Sequence, residues 1–131
     1  DEISVGAIDG RTDWQAALDG CEGVIHLAGR AHVLREGKED PTQVFHRINV
    51  EGVRNLAKQA VRANVGRFVH VSSIGVLGDE TASNQPFNEE DPPKPTSLYA
   101  LSKWQGEQAL HEATKGTALE TAVIRPPLVA K

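Results

Sequence analysis

Three polar side chains, Ser73, Tyr99 and Lys103, have types and a spacing that could support proton transfer. Tyr99 and Lys103 fall in a predicted helix at positions i and i+4, so their side chains share one face. An ammonium group near a phenol favours the phenolate and lowers the tyrosine pKa, which would make Tyr99 a usable acid or base. Ser73 ends a predicted strand and could hydrogen-bond the substrate oxygen whose proton Tyr99 takes. Tyr-x-x-x-Lys alone is also an ordinary surface pair, so its meaning depends on context.

The elements that would position these residues alternate along the chain. Short apolar runs predict strands over residues 3–8, 23–29, 68–73 and 119–124. Helices are predicted over residues 12–18, 40–64 and 97–114, and a loop over residues 74–96. Thr12 and Asp40 are the expected caps of the first two helices. This order predicts an α/β fold with a parallel sheet, helices on both faces, and the 23–29 strand buried on both sides.

Composition excludes several classes of protein. The chain has 131 residues and a net charge of −4, and its basic residues are scattered, so no electrostatic footprint for nucleic acid or an anionic membrane is present. A single cysteine, Cys21, excludes an internal disulfide framework and fits a reducing cytosol. No apolar run reaches the roughly 20 residues needed to span a bilayer. The five histidines have no spacing that indicates a metal site.

Several motifs resemble, in the right order, those of the extended short-chain dehydrogenase/reductase family, the NAD-dependent sugar epimerases and dehydratases. They cover essentially the whole chain. The motifs are HLAG at 26–29, NVEGVRNL at 49–56, VSSIGVLG at 71–78, an acidic and proline-rich loop at 90–95, YALSK at 99–103, and RPPLV at 125–129. Each is similar to a family pattern, respectively H-x-A-[AG], N-V-x-G-T-x-N-L, S-S-x-x-V-Y-G, the loop before the tyrosine, Y-x-x-S-K and R-P-x-x-V.

The resemblance implies a role for each matching position. Tyr99 would be the acid and base on the sugar, Ser73 would bind the same oxygen, and Lys103 would hold the nicotinamide ribose and lower the Tyr99 pKa. Asn49 would hold active-site backbone. The implied cofactor is NAD or NADP, and the implied partners are a nucleotide-sugar substrate and a second copy of the chain. The implied cofactor-binding residues are Leu27, Ala28, Gly29, Asn49, Val71, Tyr99, Lys103 and Pro126, with Pro127 beside the nicotinamide.

The chain departs from the family pattern mainly by what it lacks. The phosphate-binding G-x-x-G-x-x-G turn is absent, and so is the C-terminal substrate lobe. Residues 1–131 are therefore expected to be the central part of an NAD(P)-binding Rossmann domain, an incomplete Rossmann-like parallel sheet with flanking helices that comprises strands 3–6 of the family fold. A bare apolar edge would remain on the strand at residues 24–27. We expect residues 3–8 or a second copy to cover it.

The function implied by the resemblance is an NAD(P)-dependent epimerase, dehydratase or reductase. It would act in the cytoplasm at C4 of a nucleotide-diphosphate sugar. The residues within the motifs are most similar to those of 4-epimerases and 4-keto reductases of polysaccharide biosynthesis. The alternatives are a non-catalytic nucleotide-binding or scaffold relative, or an inactive fragment. The joint presence of Ser73, Tyr99 and Lys103 favours the enzyme.

Overall fold

The structure is a computed structural model that describes residues 2–31, 39–79, 81 and 85–127. Within them the strands are β1 (Gly23–His26), β2 (Arg67–Val71) and β3 (Glu120–Ile124). The helices are α1 (Gln15–Leu18), α2 (Pro41–His46), α3 (Gly52–Arg62) and α4 (Leu98–Thr114). A π-helical segment, Arg47–Glu51, joins α2 to α3, and a 3₁₀ turn, Ile74–Leu77, follows β2 within the predicted loop.

The three strands form one parallel sheet in the order β1-β2-β3. Val24 is in register with Phe68, and Phe68 with Thr121. Parallel neighbours need a crossover, and helices supply both crossovers here. The predicted α/β class, with an incomplete parallel sheet and flanking helices, is confirmed.

The core lies between one face of the sheet and helices α3 and α4. Phe68 on β2, Leu56 on α3 and Leu110 on α4 are almost fully buried in one hydrophobic cluster. Side chains alternate between faces along a strand, so the intervening positions point away from these helices. Ile25 is 69% exposed and Ile124 50% exposed on that opposite face. The predictions of helices on both faces, and of a doubly buried β1, are therefore wrong for the described residues.

Residues 3–8 do not form the predicted strand. Ile3 is 56% exposed, and Gly6 has a φ of +76°, a left-handed conformation that interrupts extended backbone. An apolar run forms a strand only when its backbone groups pair with a neighbour. The expectation that this segment pairs beside residues 24–27 is wrong, and the covering of that edge by a second copy stays a prediction.

The helix boundaries show which capping signals are used. Asp40 caps α2 as predicted, because its Oδ1 accepts a hydrogen bond from the Thr42 backbone N–H at 3.0 Å. Thr12 is not a cap: its buried hydroxyl donates to the Ala7 carbonyl at 2.6 Å and accepts from the Asp9 N–H at 2.8 Å. That side chain braces a loop, and α1 is a single turn. Ser97 caps α4 through the Ala100 N–H at 3.0 Å.

Helix α4 crosses the π-helical segment at Gly106, where the two backbones come into close contact. A Cβ atom built on Gly106 would overlap the backbone carbonyl oxygen of Asn49. Alanine normally stabilises a helix interior relative to glycine by about 1 kcal/mol. Here backbone lies on both sides of the overlap, so Gly106→Ala is expected to lower the free energy of unfolding by about 1–3 kcal/mol.

Urea unfolding followed by circular dichroism measures this effect. Gln108→Ala, at an exposed position of the same helix, is the control and should stay within about 0.5 kcal/mol of the unmodified chain. A Gly106→Ala chain as stable as the control would contradict the close approach of the two helices.

Candidate active site

Four chain segments meet at the carboxyl ends of β1 and β2. The Lys103 ammonium, from α4, donates a hydrogen bond to the carbonyl of Val71, the last residue of β2, at 3.0 Å. Gly29, just after β1, lies beside it: a Cβ there would be 3.5 Å from Lys103 Nζ and 3.2 Å from Asn49 Oδ1. Ligands of open α/β sheets gather at this edge. The structure thus brings Gly29, Asn49, Val71 and Lys103 together.

Lys103 is a buried cation, with only 3% of its surface exposed. Burial lowers the pKa of its ammonium, and the negative charge of Glu107, one turn further along α4, partly opposes that effect. The electric field of a buried ammonium is strong because little water screens it. The positive charge of Lys103 can therefore stabilise negative charge on a neighbouring oxygen atom with little screening by water.

Tyr99 and Ser73 form the second part of the site. Burial of the half-buried Tyr99 side chain raises its pKa, and the Ser73 hydroxyl, which favours the phenolate, offsets part of that rise. The Ser73 hydroxyl is oriented by the Gly75 backbone N–H, which donates to it at 3.1 Å. The Tyr99 ring also contacts Phe45 edge-on, with ring centroids 6.1 Å apart. The Tyr99 pKa is therefore raised by burial, whereas a lowering by Lys103 was expected from the sequence.

Asn49 is 1% exposed and links the segment after β1 to α4. Its side chain accepts from the Arg30 backbone N–H at 2.8 Å and donates to the Arg30 carbonyl at 2.9 Å. It also donates to the Ser102 hydroxyl at 3.0 Å, which in turn donates to the Tyr99 carbonyl at 2.7 Å. These contacts match the expected role in holding backbone. A role in cofactor binding stays a prediction.

The remaining predicted cofactor residues line the same edge of the sheet. Leu27 is 72% exposed, whereas Ala28 and Pro126 are half-buried. The Pro126 carbonyl accepts the Ile74 backbone N–H at 3.0 Å, which ties the end of β3 to the turn after β2. Pro127 is exposed. Leu128, in the RPPLV motif, lies outside the described residues.

Two groups of polar residues, buried except for the half-buried Arg125, were not anticipated as parts of the site. Ser72, Glu107 and Arg125 form one hydrogen-bonded cluster. The spacing of Glu107, four residues after Lys103, is the sequence signal that could have indicated it. His26 and His70 form the other, on adjacent strands, with stacked rings 5.5 Å apart.

The two histidines are held neutral. Burial, together with the positive charge of Lys103, lowers the pKa of His26 to about 4 and that of His70 to about 3. Within the described part of the chain, His26 Nε2 and both ring nitrogens of His70 have no hydrogen-bond partner. This same part contains no group of three acidic, histidine or cysteine side chains able to hold a metal ion.

Comparisons with known proteins identify the family. Residues 2–130 match the model of the NAD dependent epimerase/dehydratase family. The UDP-glucose 4-epimerase of Vibrio cholerae is 38% identical over 127 residues, which are 97% of this chain and 39% of the relative. The chain thus spans about two fifths of that relative's length.

Solved structures agree with this match. A short-chain dehydrogenase/reductase superfamily protein from Agrobacterium tumefaciens with bound NAD has a TM-score of 0.73 and 31% identity, over 85% of this chain and 33% of that one. The dTDP-glucose 4,6-dehydratase of Streptomyces venezuelae, a double mutant with bound NAD, has a TM-score of 0.73 and 32% identity, over the same shares. None of the helices in residues 2–31, 39–79, 81 and 85–127 is long and apolar enough to cross a membrane. The chain belongs to the NAD dependent epimerase/dehydratase family.

Proposed function

We propose that this chain carries the catalytic centre of an NAD-dependent enzyme that acts at C4 of a nucleotide-diphosphate sugar. The observation that carries the proposal is the buried Lys103, which is hydrogen-bonded to the Val71 carbonyl at the carboxyl edge of a parallel sheet. Tyr99 lies one helical turn before it on α4, and the Ser73 hydroxyl acts on the Tyr99 phenol. Similarity to a UDP-glucose 4-epimerase and a dTDP-glucose 4,6-dehydratase supports the nucleotide-sugar class.

Tyr99 would move the proton. Its phenol and the Ser73 hydroxyl would both contact the C4 oxygen, so the serine orients the oxygen while the tyrosine takes or returns its proton. Because burial raises the pKa of Tyr99, its phenolate would need a nearby positive charge during turnover. In this proposal the buried Lys103 ammonium, one helical turn away, would supply that charge.

The residues around this trio fit the nicotinamide end of NAD or NADP. Because Gly29 has no Cβ, space remains beside Lys103 and Asn49, and a ligand in that space could reach both side chains. Lys103 would hold the ribose hydroxyls, and the other contacts would come from Leu27, Ala28, Gly29, Asn49, Val71 and Pro126. Bound nicotinamide supplies hydride transfer. We also propose that the protein is a cytoplasmic homodimer.

The test uses the gene product that carries this sequence. It is incubated with NAD or NADP and, separately, UDP-glucose, UDP-N-acetylglucosamine and dTDP-glucose, and sugar products are separated by chromatography. A C4 epimer, or a 4-keto or deoxy-keto product, from at least one sugar supports the proposal. Tight nucleotide binding without conversion of any sugar favours the non-catalytic alternative.

A further inference from the structure

One carboxylate in this protein joins three elements. Glu107 on α4 is 7% exposed, and its two oxygens accept hydrogen bonds from the Arg125 guanidinium: Nη2 at 2.6 Å and Nε at 3.1 and 3.2 Å. The Ser72 hydroxyl donates to the same carboxylate at 2.7 Å. We call these residues the Ser72–Glu107–Arg125 cluster. It connects α4 to the segments that follow β2 and β3.

The geometry of this cluster is specific. A two-pronged guanidinium–carboxylate contact fixes both the distance and the relative plane of its partners, which a lysine cannot do. Burying an ion pair is a weak route to stability, since apolar residues of similar volume often do as well. A charged cluster at this position is therefore better explained by the need to hold the elements in one arrangement.

Each member of the cluster adjoins a residue of the candidate site. Ser72 precedes Ser73, and Arg125 precedes Pro126, whose carbonyl holds the Ile74 N–H. Glu107 lies one helical turn after Lys103 on the same face of α4. A shift of the guanidinium would therefore move the ends of β2 and β3 relative to α4, and Ser73 relative to Tyr99.

We propose that the Ser72–Glu107–Arg125 cluster positions Ser73 and Lys103 for proton transfer at Tyr99. Glu107 and Arg125 are then positioning residues of the reaction, without contact to substrate. This inference rests on the proposed function for its kinetic consequence. Its structural consequence, the alignment of Ser73 with Tyr99, can be measured in this chain without cofactor or substrate.

Tyr99 is the one tyrosine in the sequence, so an ultraviolet absorbance titration reports its phenol directly. Arg125→Lys keeps the charge but loses the two-pronged contact. The Ser73 hydroxyl lowers the pKa of Tyr99, so a displacement of Ser73 should move the Tyr99 midpoint upward. Arg67→Lys is the matched control, since Arg67 pairs with Glu120 on the surface at 3.0 Å, and it should leave the midpoint unchanged.

Kinetics on the gene product form the second readout. Arg125→Lys should lower kcat about 10- to 100-fold, because small misplacements of reacting groups have effects of that size. KM for the sugar nucleotide should stay within about twofold, since binding groups are untouched. Ser72→Ala removes one hydrogen bond and should give the same changes more weakly. It provides the test if Arg125→Lys does not fold.

The outcomes separate the two proposals. An unchanged Tyr99 midpoint and an unchanged kcat, together with reduced stability, would show that the cluster is structural only and overturn the inference. An inactive unmodified protein whose Tyr99 midpoint still moves in Arg125→Lys would reject the proposed function and keep the positioning role.

Discussion

Tyr99→Phe is expected to lower kcat by about 10²- to 10⁴-fold, the usual contribution of a positioned acid or base. The change removes the one oxygen of Tyr99 that can exchange a proton with the substrate. The ring remains, so the edge-on contact with Phe45 is retained. KM for the sugar nucleotide should change little, because the lost interaction stabilises the transition state of proton transfer and not the bound nucleotide. Steady-state kinetics on the gene product measure both constants.

Two controls make the result interpretable. Gln108→Ala, on an exposed part of α4 remote from Tyr99 in sequence, should leave kcat within about twofold. Urea unfolding of Tyr99→Phe should show a loss of at most about 1 kcal/mol, the typical contribution of one hydrogen bond, because only the interaction of the phenol with the Ser73 hydroxyl is removed. Turnover retained to within about threefold would mean that another group carries the proton, and the proposed mechanism would be wrong.

Much of the candidate site could be predicted because its members follow local rules. Tyr99 and Lys103 share a face through helix periodicity, and the end of β2 places Ser73 at the sheet edge where ligands bind. Asp40 caps α2 through contacts within its own first turn. These features depend only on residues that are close in sequence, so they can be predicted without knowledge of the tertiary packing.

The features that were missed or wrong depend on contacts between distant segments. The Glu107–Arg125 pair spans 18 residues and exists only because α4 passes over the end of β3. The strand expected at residues 3–8 required a neighbour that β1 does not supply in this chain. The Tyr99 pKa was expected to fall because Lys103 is four residues away, but the degree of burial that raises it cannot be derived from spacing.

The two buried histidines make stability strongly dependent on acid. In the unfolded chain both histidines would bind a proton near the ordinary histidine pKa of 6.5. In the folded chain, burial and the positive charge of Lys103 lower the pKa to about 4 for His26 and to about 3 for His70. Between these values the unfolded state holds more protons, so stability is fully present above pH 6.5 and falls as the pH drops. The loss approaches about 1.4 kcal/mol per pH unit for each histidine.

Urea unfolding from pH 7 to pH 4.5 should therefore show a fall of about 5 kcal/mol in the free energy of unfolding, a large part of what holds a typical domain together. His70→Gln replaces the ring with a group that does not titrate, and it should remove about half of this dependence. His111→Gln, at an exposed position on α4, is the matched control and should leave the slope as it is. Equal slopes in all three proteins would show that the two buried rings are not the source, because only a group whose proton uptake differs between the two states can produce the slope.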